Sequence, residues 1–138
     1  MKNMDPKIHV NKAARIEKTV KKLDPEGDCE SIIEMLGMAG THLVNGALHK
    51  SGVLERDIIH SNFMAGSLGA YEFIEKQAKW EAAKPPTAKS LKEALAQLHE
   101  IETRRMQVVR GKTVSGPIAK ESLTAYEKLK ENFLKIIG

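Results

Sequence analysis

His42, Asn45 and His49 stand at i, i+3 and i+7 within residues 38–61, a stretch that is otherwise largely apolar or small. That spacing places two imidazoles and an amide along one face of a helix. Polar groups on a buried helix must find partners, so this ridge is a first candidate site. Imidazole with carboxylate suits zinc, iron or nickel. Asp57-x-x-His60, on the next element, offers two more donors to join His42 and His49. The Glu-x-x-His pairs of dinuclear carboxylate bundles and the HExxH pattern of metalloproteases are both absent. The expectation is therefore no metal and no cofactor. In the plainer reading, His42 and Asn45 hydrogen-bond across helices and His49 reaches the bundle end.

Arg56 and His60 open a second possibility. They sit at i, i+4 on one helix face. A histidine near neutral pK beside a guanidinium can move a proton and steady a phosphorane, which is what cleavage of an RNA phosphodiester requires. The plainer reading is a solvated helix end with Arg56 paired to a carboxylate. A third group, Arg104, Arg105, Arg110 and Lys112, clusters near the end of a later helix. Positive charge is favourable there through the helix dipole, and it could also hold phosphates. Aromatic residues do not interleave with it, so base stacking on a single strand is not supported.

The elements that position these groups are helical. Asp5-Pro6 opens a first helix, with Ala13, Ile16, Val20 and Leu23 as its apolar stripe. Asp24-Pro25 stops it. A second helix starts at Asp28 or at the capping box Ser31-x-x-Glu34 and runs to about Lys50, with Gly52 as the left-handed residue after it. It is apolar on two adjacent faces, which predicts a buried central position. Gly37, Gly40 and Gly46 weaken it, and their expected return is close approach of a neighbour. Next come a short helix over 54–60 and a main helix over 63–83 that carries Tyr71 and Trp80 and is closed by Pro85-Pro86. The capping box Ser90-x-x-Glu93 starts a helix to about Arg110, with a stripe of Leu91, Leu95, Leu98, Ile101 or Glu102, and Met106. Pro117 opens the last, faced by Ile118, Leu123, Tyr126, Leu129, Phe133 and Ile136 or Ile137. No stretch alternates with strand period and no repeat is visible. The expected fold is all-α: one domain over 1–138, an up-and-down antiparallel bundle of four main helices plus a short additional one.

Composition sets bounds. The 138 residues suffice for one core without staples. The single Cys29 cannot form an internal disulfide, and its position near a helix start reads as a small apolar side chain. No signal peptide is visible and no apolar run approaches the roughly 20 residues that span a bilayer, so a cytoplasmic protein with no membrane partner is expected. The net charge of +4 is modest. Its distribution is informative: residues 28–77 carry three Lys/Arg against seven Asp/Glu, whereas 1–27 carry seven against four and 78–113 eight against four. The expected core helices are acidic and the flanking elements basic.

The pattern His42-x-x-Asn45-x-Ala47-Leu48-x-x-x-Gly52-Val53, followed by His60-Ser61, resembles the central helix and next turn of HEPN-domain proteins. An amphipathic helix, an Arg-rich turn with Gly111 and Ser115, and a closing amphipathic helix are loosely similar to that family's tail. The resemblance implies a small helical bundle, commonly homodimeric, often in toxin–antitoxin or defence settings with a partner protein encoded nearby. Many members are metal-independent ribonucleases, and others only bind nucleotides or RNA. Catalytic members carry Arg, a polar residue, then His after a longer gap than the three residues between Arg56 and His60. No His follows the arginines near 104–110. The resemblance thus implies a nucleotide- or RNA-associated accessory protein that binds rather than cleaves, and leaves open whether it is an enzyme. If it is one, it is a metal-independent endoribonuclease with His60 as acid or base and Arg56 on the phosphorane. The alternatives are a structural or protein-interaction bundle without activity, and a metal-binding bundle using His42, His49, Asp57 and His60.

Overall fold

The computed structural model describes residues 6–54, 78–111 and 114–137. Among these residues the chain is an all-α bundle with no strand, built on α1 (Pro6–Val20), α2 (Cys29–Ser51), α3 (Pro85–Val109) and α4 (Gly116–Ile137). Residues 55–60 of the expected helix over 54–60, and most of that over 63–83, lie outside the described residues. The end of the second differs from expectation: Trp80–Ala82 is a single 3₁₀ turn with an extended residue, Ala83, after it.

α2 is the centre, packing against each of the other three helices. The reason is its sequence. Ile32, Ile33, Leu36, Ala39, Leu43, Val44, Ala47 and Leu48 are all buried, so its apolar surface covers two faces, not one. The glycines explain how three helices reach it. A Cβ on Gly40 would stand 2.9 Å from Leu98 Cδ1 of α3 and 3.5 Å from Leu129 Cδ1 of α4. At Gly46 the same atom would lie 3.5 Å from the Pro6 carbonyl oxygen and 3.6 Å from His9 Cβ, so α1 crosses there almost backbone to backbone.

Pairings along the helices give the up-and-down order. Rising from Gly37 to Gly40 on α2 means descending from Arg105 to Leu98 on α3. Arg104 meets Glu121 while Gln97 meets Asn132, so α3 and α4 are antiparallel. Lys130 Nζ binds Glu17 Oε1 at 2.8 Å, and Pro6 and Ile137 line one cavity, so α4 is antiparallel to α1 as well. The loops fit these directions. Asp24 folds the α1–α2 turn through its own carboxylate, which accepts from the Glu26 and Gly27 amides at 3.1 and 3.2 Å. α2 starts at Cys29, the first of the two expected starts, and Gly52 closes it at φ 76°.

Two boundaries depart from the sequence reading. α3 begins at Pro85, five residues before the box Ser90-x-x-Glu93, so the two prolines open this helix and do not merely close the one before. Proline at N1 loses nothing, because that amide has no helical partner anyway. Ser90 and Glu93 then fall inside the helix, as residues spaced i, i+3 on one side. The interior stripe is otherwise as spaced: Leu91, Leu95, Leu98, Ile101 and Glu102 are buried on α3, and Tyr126, Leu129 and Phe133 on α4.

The tight seat at Gly40 carries a prediction. Gly40→Ala gains about 1 kcal/mol of helix propensity. The added methyl must push a fully buried Leu98, which costs about 1–3 kcal/mol. The net expectation is a lower urea midpoint than wild type; a higher one would show that α2 and α3 have slack there.

Candidate functional site

The imidazole ridge gains a member that the spacing of α2 alone did not reveal. His9 of α1, 2% exposed, points into the α1–α2 interface. Its Nδ1 lies 2.9 Å from His42 Nδ1, and its ring centroid lies 5.5 Å from that of His49. His49 Nδ1 is 2.8 Å from the Leu54 carbonyl oxygen, an acceptor only, so Nδ1 carries the proton and Nε2 the lone pair of the neutral ring. Asn45 is buried on the same ridge, while His42 and His49 are half-buried. Three of the five histidines thus gather where the start of α1 crosses the end of α2. The sequence did hold a signal for His9. It precedes Ala13, Ile16 and Val20 with the same helical phase, so it belongs to the buried stripe of α1.

No three His, Cys, Asp or Glu side chains gather for a metal among the described residues. Asp57 and His60, the other donors weighed for such a site, lie outside them. Arg56 does too, so the Arg56–His60 pair for phosphodiester chemistry and the neighbouring Tyr71 have no described placement.

The basic cluster is divided by the bundle. Arg105 turns inward: its Nη1 lies 3.3 Å from Glu102 Oε2, and the pair packs over Gly37. Arg104 turns toward α4, where Nη2 lies 3.3 Å from Glu121 Oε2, a carboxylate 64% exposed. Arg104 Nη1 has no hydrogen-bond partner. Arg110 is the exposed residue that ends α3, and Lys112 lies outside the described residues. Arg104 also lines a cleft of about 370 Å³ between α3 and α4 with His99, Glu100, Thr103, Gln107, Ile118 and Glu121. Thr103, Gln107 and Arg110, at i, i+4 and i+7, run along one side of α3 from this cleft to the helix end. His99 was not singled out by sequence because its own segment has no motif.

Other ionisable groups serve the packing. Burial pushes the Tyr126 phenol well above the usual range, and the negative charge of Glu17 across the α1–α4 interface acts in the same direction. Cys29 Sγ donates to the Val114 carbonyl at 3.4 Å and ties the start of α2 to the start of α4. Trp80 packs half-buried on the core with Lys92 Nζ 5.0 Å from its ring centre, a cation–π contact.

No described helix is long and apolar enough to cross a membrane. The chain matches no protein-family model, no curated protein and no solved structure.

Proposed function

We propose that this chain is a HEPN-like, homodimeric accessory bundle of the cytoplasm that associates with a nucleotide or RNA and binds it without cleaving it. The observation that carries the reading is the placement of Arg104 at the α3–α4 cleft, held only by an exposed carboxylate. One nitrogen meets that carboxylate at 3.3 Å, while the other is buried without a hydrogen-bond partner, beside a cleft that Thr103, Gln107 and His99 line together with Glu100 and Glu121. An exposed ion pair of this kind is worth about 0–1 kcal/mol. A phosphate carries more negative charge than that carboxylate and can displace Glu121 from Nη2. Arg110 then extends the positive track along α3. Binding without cleavage follows from the short Arg56–His60 spacing.

The test is fluorescence anisotropy with a labelled RNA oligonucleotide and with ATP. Affinity for RNA is expected to fall steeply between roughly 50 and 200 mM salt. Arg104→Gln should weaken it roughly 5–10-fold and lower the salt slope by about 1. Absence of binding to either probe at low salt would reject the reading. Cleavage of the RNA by wild type that is lost in His60→Ala would reject the binding-only part of it.

A further inference from the structure

The contact between His9 and His42 joins two nitrogens of the same kind. A neutral imidazole carries one N–H, so the 2.9 Å Nδ1···Nδ1 contact requires opposite tautomers: one ring donates from Nδ1, and the other accepts at Nδ1 and keeps its proton on Nε2. A first added proton can go to the outer nitrogen of the donor ring and leaves the contact intact. A second has only the accepting Nδ1 to go to, and two N–H groups would then face each other. The docked pair therefore holds one extra proton, and the separated rings hold two.

The surroundings leave the rings little freedom to avoid this. His9 is buried, and Gly46 lets the backbone of α1 come within van der Waals distance beside it, with Phe133 of α4 on the other side. His49 is held on Leu54 by its Nδ1. Among the described residues, the charged side chains that the packed helices bring to this end include Lys7 of α1 and Lys50 of α2, which line a cavity of about 490 Å³ with Pro6, Val10, Asn11 and Ile137, and the exposed Lys135 of α4. Lys130 and Glu17 are bound to each other farther along.

We propose that the first turns of α1 form a pH-operated latch, held on α2 by one proton shared between His9 and His42 and released when both rings are protonated. Undocking takes up one proton, so it is favoured as pH falls. Below the ordinary histidine range, about pH 6.5, the undocking equilibrium should rise about tenfold per pH unit. The Glu17–Lys130 bond holds the far end of α1 on α4, so the helix lifts from its N-terminal half and uncovers the face around Gly46 and Phe133.

Two measurements on the full chain test the latch. Long-range ¹⁵N NMR of the histidine rings at about pH 7.5 should find opposite tautomers for His9 and His42. Amide exchange, corrected for intrinsic rate and referenced to α4, should show protection over residues 7–14 falling tenfold or more between about pH 7.5 and pH 5. His42→Gln keeps a polar partner without a titrating ring, and His9→Phe fills the buried site. Each should reduce that change to roughly twofold or less. Identical tautomers in the two rings, unchanged protection in wild type, or a variant that keeps the full pH response would overturn the latch. If His9→Phe does not fold, His42→Gln and the wild-type tautomers still decide.

Discussion

Leu98→Ala is expected to lower the unfolding free energy by about 3–4 kcal/mol, the upper half of the range for buried leucines. Leu98 is fully buried where three helices meet, with its Cδ1 in the space a side chain at position 40 would need. Truncation leaves a void beside Gly40, Leu129 and Ile101. Collapse is restricted on one side by the Arg105–Glu102 pair over Gly37 and on another by the tight crossing of α1 at Gly46. The cost should appear as a lower urea midpoint with an unchanged slope. The same geometry predicts non-additivity. Gly40→Ala, destabilising alone, should become stabilising in the Leu98→Ala background, because its methyl then enters the void and the propensity gain remains. A loss below about 1.5 kcal/mol, or simple addition of the two effects, would mean that α2 and α3 do not lock at this position.

The glycines show why the bundle was legible. Three of them in an apolar helix make sense only where neighbours approach closely, and Gly37, Gly40 and Gly46 meet α3, α3 with α4, and α1 with α4 respectively. Apolar phasing located the helices because burial depends on it. Helix ends were harder. Pro85-Pro86 is compatible with ending one helix and with starting another, and Ser90-x-x-Glu93 satisfies the spacing of a cap equally well inside a helix. The site was legible only in part. His42, Asn45 and His49 share a face by arithmetic, but which residue answers them depends on how α1 crosses α2, and that is tertiary. The basic cluster shows the same limit: Arg104 and Arg105 are adjacent in sequence, yet one-residue rotation sends one to an exposed cleft and the other into the core.

Glu102→Ala is the second large effect expected, a loss of about 3–5 kcal/mol. Glu102 is 1% exposed, and the Arg105 side chain that it holds is largely buried. Both pack against the bare backbone of Gly37, so α2 comes close enough to keep water from replacing a lost partner. Removing the carboxylate takes the Glu102 counter-charge away from a largely buried guanidinium. The loss belongs to the buried charge left behind and not to the worth of the ion pair. Glu102→Leu with Arg105→Met, which removes both charges and keeps the volume, should therefore recover most of the stability that Glu102→Ala loses. Chemical denaturation of the single and double variants separates the two accounts. A double variant as unstable as Glu102→Ala would mean that the pair itself is the source of stability at the α2–α3 contact. The phosphate reading makes the companion outcome distinct: Arg105→Met in that double variant should leave RNA affinity within about twofold of wild type, because Arg105 faces Gly37, whereas Arg104→Gln should not.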